Sequence, residues 1–576
     1  MIENVIVIFK THLDIGFTDF AENIKNHYLQ NYIPAAIKVG YELKGTDTPF
    51  IWTVGAWLID EALKKDDGTL KKAIKDGIIR WHALPFTTHT ELMSVNTFEA
   101  GLKISKKLDD QFEIKTTGCK MTDVPGHTIG IVPILKKYGI KMMHIGVNVA
   151  TPMPNVPRLF RWKCGIDELT VVYNHGYGGR FANGKNLFVF AHTIDNTGPQ
   201  TPEQIKLLYK TLAREYPGAN ITAGTLSDMA ELIDTTDLPL VENEIGDTWI
   251  HGIGTDPKKL AAFKAIQRYT DKTNCDVPTD LMLVAEHTWG MDIKNFFKNT
   301  NDWFLKDFEK TKNDKSRKMV EASWQEQRTY IYNAAKALSF DLHKELSCEV
   351  PDLSDFSEIS IPPVNFRIEW QIFSEMDYAR FSNVYIQGSF DWWKMWDYTK
   401  VGLPKYKGFT IQAKPCKAYQ KLNTTIYELH FEKSAELEYG LPYFYMIIKE
   451  NRYDLRFFGK KANRLPQALW LKFMDINGTV EIHKMGQWIN PKQILGSPLI
   501  MACDFGVRNK YWEIESLDAA LVAPFGKHLL DYNIGKVKSD LYFNLYNNIW
   551  NTNFPMWYNE NTKYRFNFIK RKTSLK

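Results

Sequence analysis

Two residues near the start of the chain could begin a metal site. His12 and Asp14 lie in the segment Thr11-His12-Leu13-Asp14-Ile15-Gly16-Phe17, directly after the apolar run Val5–Phe9. On an extended strand end, residues i and i+2 project to the same side. One imidazole and one carboxylate would then leave a buried strand together, and a divalent cation such as Zn²⁺ accepts both donor types. A histidine that only satisfies a loop carbonyl would look the same in sequence.

Three further segments carry comparable chemistry. Thr122-Asp123-Val124-Pro125-Gly126-His127-Thr128 follows the strand-like Gly118–Met121 and precedes an apolar run, Ile131-Val132-Pro133-Ile134-Leu135, that starts a helix. Pro-Gly forces a tight turn, so Asp123 sits at another strand end. It could bind metal, attack a substrate, or cap the following helix. Ala285-Glu286-His287-Thr288-Trp289-Gly290 follows the apolar run Leu281–Val284; this reads as a third strand end presenting a histidine beside an aromatic. Gly246-Asp247-Thr248-Trp249 offers a carboxylate beside an aromatic, ahead of the helix-like Lys258–Arg268. Together His12, Asp14, Asp123 and His287 supply two imidazoles and two carboxylates, a complete ligand set for zinc. Asp247 remains as a second functional carboxylate, and retaining glycoside hydrolysis needs such a pair.

The elements that would carry these residues alternate. Val5–Phe9, Phe50–Val54, Gly118–Thr122 and Met142–Ile145 read as strands, and Tyr32–Leu43, Thr97–Asp110 and Ile131–Tyr138 as helices. Such βα alternation predicts a barrel-like domain with a mostly parallel sheet over residues 1–300, whose chemistry sits at the carboxyl ends of its strands. Between 301 and 350, Val320, Trp324, Gln327, Ile331, Ala334 and Leu338 follow helical spacing, which predicts a small helical bundle. Pro351, Pro362 and Pro363 mark a linker. From 360 to 576, Phe366, Ile368, Trp370 and Ile372 alternate with polar residues, as do Tyr427, Leu429 and Phe431, and Leu469, Leu471 and Phe473. Period two broken by Gly, Pro and Asn predicts an antiparallel β-sandwich.

Composition narrows the class. A chain of 576 residues exceeds one ordinary core and predicts two or three domains. Aromatic residues reach 14%, with 17 Trp, which suits strands and the stacking of sugar rings. Lys and Arg number 72 against 67 Asp and Glu, a net charge of +5, too small for its length to suggest a nucleic-acid partner. No run of about 20 apolar residues suggests a membrane span. Six dispersed cysteines without a C-x-x-C pair, and an N-terminus that enters a strand without a signal-like segment, predict a cytoplasmic protein.

The ordered motifs H-L-D-I-G-F, D-V-P-G-H-T with P-I-L-K-K-Y-G, G-D-T-W and E-H-T-W-G resemble the catalytic domain of glycoside hydrolase family 38, the retaining α-mannosidases. The motif resemblance covers roughly residues 1–340 and is architectural beyond. It implies that His12, Asp14, Asp123 and His287 hold one Zn²⁺ per chain. It also implies that Asp123 is the nucleophile that forms a glycosyl-enzyme and that Asp247 is the acid/base. Phe17 would be an apolar platform for the sugar ring, with Trp249 and Trp289 as further contacts to a carbohydrate substrate. Three positions depart from the family pattern: Phe17 stands in place of Trp, Pro125 in place of an aromatic, and Thr288 in place of an acidic residue after the metal histidine. The ligand set is intact while the sugar-recognition set is altered. Two other readings share these residues. One is a zinc-containing carbohydrate-binding protein with little or no turnover. The other is a metal-dependent carbohydrate deacetylase, for which Asp109-Asp110 lacks the later H-x-x-x-H.

Overall fold

The structure is a computed structural model, and it describes residues 1–297, 301–474, 476, 478–532 and 539–571. It divides into two compact units. The first comprises Met1–Thr90, Thr97–Asn243 and Glu286–Thr288; the second comprises Glu91–Asn96, Glu244–Ala285 and Trp289–Lys576.

In the first unit the strands are β1 (Asn4–Thr11), β2 (Trp52–Gly55), β3 (Ile79–His82), β4 (Gly118–Asp123), β5 (Met142–Val147), β6 (Leu159–Cys164), β7 (Asp167–His175), β8 (Gly179–Asn183), β9 (Asn186–Thr193), β10 (Asn220–Ala223) and β11 (Leu240–Val241). Among the described residues they form two mixed sheets. One has the order β3-β2-β1-β9-β8, with β10 also pairing β1; the other has the order β11-β6-β7-β5-β4. The central pairings β1–β9, β1–β2, β2–β3, β4–β5 and β5–β7 are parallel, while β8–β9 and β6–β7 are antiparallel hairpins. Val5 to Phe9 are almost fully buried, which explains why β1 reads as a continuous apolar run. Helices Ile33–Leu43, Val95–Phe112 and Ile131–Lys137 fall where the periodicity placed them, within a few residues.

Leu281–Val284 departs from expectation. It is not a strand but the end of a helix, Thr279–Val284. A four-residue apolar run does not separate a short buried strand from a buried helical turn. His287 is instead placed by a single antiparallel bridge between Glu286 and Thr88.

The second unit contains the long helix Lys315–Ala337, started by Asp314 accepting from Arg317 N at 3.0 Å, and the helix Pro257–Thr273. Its β region holds, among the described residues, a ten-stranded and a six-stranded antiparallel sheet. Phe366, Ile368, Trp370 and Ile372 of strand Phe366–Ile372 are buried, as the alternation requires. Rings from the two sheets meet edge to face: Phe366 with Tyr427, Trp370 with Phe431, and Phe473 with Phe566. Such pairs make a sandwich core. No helix among the described residues is long and apolar enough to cross a membrane.

Candidate metal centre and its carboxylates

The first unit brings His12, Asp14 and His287 together. Their ligand atoms lie within 4.8 Å of one another and all three residues are buried. His12 and Asp14 come just past the carboxyl end of β1. The loop after the adjacent parallel strand β9 holds them there: Asn196 N donates to His12 O at 3.1 Å, and Asp14 N donates to Asn196 Oδ1 at 3.0 Å. Asn196 Nδ2 also donates to Gly16 O at 3.0 Å. Phe17 follows in a three-residue turn closed by Thr18 N to Gly16 O at 2.8 Å, with φ 63°. Its ring is half-buried.

The ring nitrogens converge. His12 Nε2 and His287 Nε2 face each other at 3.1 Å, and Asp14 Oδ1 lies 3.2 Å from the first and 3.0 Å from the second. The other nitrogen of each ring is occupied. His12 Nδ1 pairs with Thr122 Oγ1 at 2.7 Å, and His287 Nδ1 with Glu286 Oε1 at 2.6 Å. Such outer partners fix ring orientation and leave Nε2 for a cation. Burial disfavours a charged His287, but the Glu286 and Asp14 carboxylates outweigh it and hold its pKa well above the usual value. Burial likewise opposes ionisation of Asp14, and the facing His12 and His287 reverse that and hold it below the carboxylate range.

Asp123 stands at the edge of this cluster. It ends β4, buried, with φ 82°, a conformation that costs a non-glycine residue on the order of 1–3 kcal/mol and is held only by its surroundings. Those surroundings are the carboxyl ends of the neighbouring parallel strands. Asn148, just past β5, donates its Nδ2 to Asp123 Oδ1 at 2.9 Å, and Asn148 N donates to Asp123 O at 3.0 Å. The Tyr177 hydroxyl, past β7, donates to the same Oδ1. Asp123 Oδ2 faces His287 Nε2 at 3.5 Å. Burial and the Asp123 charge push the Tyr177 hydroxyl well above its ordinary pKa, so it remains a donor. Gly146 makes room for this loop: a Cβ there would lie 2.9 Å from Gly176 O and 3.2 Å from Tyr177 Cα. The helix-cap reading of Asp123 does not hold, since helix Ile131–Lys137 begins after Gly130.

The fit to a metal can be judged on this geometry. Two Nε2 atoms at hydrogen-bond distance with one carboxylate oxygen between them share a single focus, and Asp14 Oδ2 is buried without a partner. Nitrogen and oxygen donors in this number suit zinc. The residues fit the group.

Several members of the site carry no motif. Lys120 Nζ donates to Thr11 O at 3.0 Å and Thr122 Oγ1 at 3.1 Å, and burial lowers its pKa to about 7 against the pull of Asp14. Lys10 donates to Tyr177 O. A lysine inside a buried strand, two residues before His12 for Lys10 and three before Asp123 for Lys120, was the available signal. Asp195, just past β9, feels burial first and then the charges of Asp14 and Asp123, which together raise its pKa to about 6 against His12. It is a carboxylate within electrostatic reach of the cluster, in a loop that gave no pattern to read.

In the second unit, Asp247 is buried and starts the 3₁₀ helix Thr248–Thr255. It accepts from Trp249 N at 2.9 Å and from the Tyr385 hydroxyl at 2.8 Å. Burial, with a smaller push from Glu91, raises its pKa to about 7 although both donors pull it down. Trp249 is half-buried, its Nε1 without a partner. Trp289 is buried, its backbone N donating to Asn553 Oδ1 at 2.9 Å and its ring covered by Lys259 Nζ at 3.9 Å. That packing makes it a core residue rather than an open sugar platform. Thr288, in the first unit, turns back on Glu286, with its N 2.8 Å from Oε2.

Residues 253–361 match the family model described as a domain of unknown function, DUF5054. No curated protein matches the chain in sequence. Among solved structures, an α-mannosidase from Enterococcus faecalis V583 aligns with 99% of this chain and 87% of its own, with a TM-score of 0.62 and 8% identity. A protein in glycosyl hydrolase family 38 from Enterococcus faecalis aligns with 99% of this chain and 86% of its own, with a TM-score of 0.53 and 9% identity. The chain is therefore similar in its multidomain fold to these family 38 structures.

Proposed function

We propose that this protein is a zinc-dependent retaining glycoside hydrolase acting on an α-mannoside-like sugar. The observation that carries the reading is the convergence of His12 Nε2, His287 Nε2 and Asp14 Oδ1 within 3.2 Å, with Asp123 oriented beside them. His12, Asp14, Asp123 and His287 would hold the zinc, which would supply positive charge to grip vicinal sugar hydroxyls and to keep an adjoining carboxylate ionised.

The residues of the chain then have separate tasks. Asp123 attacks the anomeric carbon and forms the glycosyl-enzyme. Tyr177 and Asn148 hold its Oδ1, which leaves Oδ2 as the attacking oxygen. Phe17 gives the sugar ring an apolar face, and Trp249 offers a second aromatic contact. The acid that protonates the leaving oxygen must be neutral at working pH. Asp247, with its pKa near 7, meets that condition, and Asp195, near 6, is the alternative. In this reading the chemistry belongs to residues 1–300, with the helical segment 301–350 and the sandwich 360–576 as support, in a cytoplasmic enzyme.

The test is hydrolysis of a panel of aryl α-glycosides, with NMR detection of the first anomer released, with and without chelator. Release of the α-anomer, abolished by chelator and restored by zinc, is expected. Inversion, or turnover indifferent to chelator, overturns the mechanism. Sugar binding without turnover in wild type and Asp123→Asn alike would favour the carbohydrate-binding reading, for which the altered Thr288 is the favouring observation.

A further inference from the structure

A second group of metal-binding side chains lies in the second unit, on the ten-stranded sheet. Cys416, Glu428 and His430 offer a thiol, a carboxylate and an imidazole whose ligand atoms lie within 4.8 Å of one another. They come from adjacent antiparallel strands, Lys414–Lys421 and Thr424–His430. Two features of these strands bring them together. Glu428 and His430 are two apart and so share a face. Leu429 between them and Tyr427 before them are buried, and the Tyr427 ring packs on Phe366 of the other sheet, so the face that carries Glu428 and His430 points away from the sandwich core. Cys416 is then the residue at which the register slips, between Pro415 paired with Leu429 and Lys417 paired with Glu428. A bulge of this kind re-aims one side chain, and here it leaves the thiol beside Glu428, with Sγ 3.4 Å from Glu428 O.

The imidazole is held as metal-binding histidines are held. His430 Nδ1 pairs with Glu436 Oε1 at 2.9 Å, and its Nε2 faces Glu428 Oε1 at 3.1 Å. The Tyr443 ring stacks on it at 5.3 Å and 5°. Glu436 Oε2 is in turn 3.2 Å from Lys433 Nζ. A carboxylate on one ring nitrogen fixes the tautomer and raises the basicity of the other.

We propose that Cys416 Sγ, Glu428 and His430 Nε2 form a second site for zinc or a similarly thiophilic divalent cation, oriented by Glu436 and open to solvent at a fourth position. One sulfur, one nitrogen and one oxygen donor suit Zn²⁺ and exclude Mg²⁺ and Ca²⁺, which take oxygen. Binding displaces the thiol proton to solvent. The site is independent of the first unit's chemistry and ties the two strands across their bulge.

Cobalt(II) separates this site from the first, because His12, Asp14, Asp123 and His287 contain no sulfur. Metal-free protein titrated with cobalt(II) chloride should develop a thiolate-to-cobalt charge-transfer band in the near ultraviolet. Excess zinc should bleach it. The band should vanish in Cys416→Ser and weaken in His430→Ala, and it should persist in His12→Ala and in Cys348→Ser. Glu436→Gln should lower cobalt affinity about 10–100-fold. Cys416 is exposed, so its replacement by Ser leaves the fold intact, which far-ultraviolet circular dichroism checks. Absence of the band in wild type, or its survival in Cys416→Ser, overturns the proposal.

Discussion

The Nε2 atoms of His12 and His287, 275 residues apart in sequence, face each other at 3.1 Å. Each ring is oriented from behind by a different element, Thr122 of β4 for the first and Glu286 of the bridge segment for the second. Two imidazole nitrogens cannot both accept from or both donate to each other. A cation at their common focus would remove that conflict.

Ligand removal should therefore be distinguishable from loss of orientation. His12→Ala and His287→Ala should each lose about one bound zinc per chain relative to wild type after dialysis, and all hydrolytic activity with it. Thr122→Val and Glu286→Gln should keep the fold but weaken zinc affinity about 10–100-fold, because outer partners tune rather than supply ligands. Competition with a chromogenic chelator reads both effects. Full zinc retention in His12→Ala would show that these nitrogens do not hold the metal.

Asp123 is held by donors that can be removed one at a time. Tyr177→Phe deletes a hydrogen bond to a charged oxygen, worth about 1.5–3 kcal/mol, so kcat should fall roughly 10–150-fold with zinc content unchanged. Gly146→Ala should produce a similar loss without touching a reactive group, since its methyl would meet Gly176 O at 2.9 Å and move the Tyr177 loop. Asp123→Asn should abolish turnover altogether. A Tyr177→Phe enzyme with wild-type kcat would show that Asn148 alone positions the carboxylate.

Asp247 should leave a signature in both stability and rate. Its folded pKa is raised from 3.8 to about 7, so between those values the native state holds a proton that the unfolded chain has released. Stability from this group is complete below about pH 4 and is lost as pH rises to about 7, a fall on the order of 4 kcal/mol. Asp247→Asn keeps an acceptor for Trp249 N and should flatten that decline, seen as a smaller drop in Tm from pH 4 to 7. If Asp247 is also the acid, the same variant should lose about 10²–10⁴ in kcat on poor leaving groups, little on activated ones, and its basic pH limb near 7. Should Asp195→Asn show those kinetic losses and Asp247→Asn only the stability change, the acid is Asp195.

How much of this was legible follows from what the signals were. β1 could be read because a buried parallel strand is a short continuous apolar run, and β4 and β5 from the apolar residues that remain around Lys120 and His144; His12, Asp14 and Asp123 lie at or just past the ends of β1 and β4. The strand Phe366–Ile372 could be read because its apolar residues alternate and are all buried, although Glu369 on the other face is buried too. His287 was found as a ligand candidate but on the wrong element. Its neighbour Leu281–Val284 is a helical turn, and the pairing that places it is a single bridge to Thr88, which leaves no periodic trace. Tyr177, Asn148 and Asp195 were missed because their loops are arranged by strand order, which single-sequence patterning does not carry. Trp289 read as an aromatic beside a metal histidine, and only its contacts with Lys259 and Asn553 show it to be core.

The last prediction concerns what keeps residues Glu91–Asn96 in the second unit. Lys484 is fully buried and donates to both Glu91 and Glu244, the latter at 2.9 Å. Burial disfavours its charge, but the two carboxylates override that and raise its pKa. For Glu91, burial dominates and raises the pKa although Lys484 lowers it. A triad with two carboxylates and one ammonium is satisfied only while the ammonium is present. Lys484→Met removes the cation and leaves two buried acids, which should destabilise the unit by about 3–5 kcal/mol. The loss should shrink at low pH, where the orphaned carboxyls protonate. The double replacement Glu91→Gln with Lys484→Met should recover part of it, because one of the two uncompensated charges is gone. Urea unfolding of the three proteins at neutral and acidic pH measures the effect. A Lys484→Met protein as stable as wild type at neutral pH would mean that the triad contributes no net stability and serves only to fix the path of the 91–96 segment.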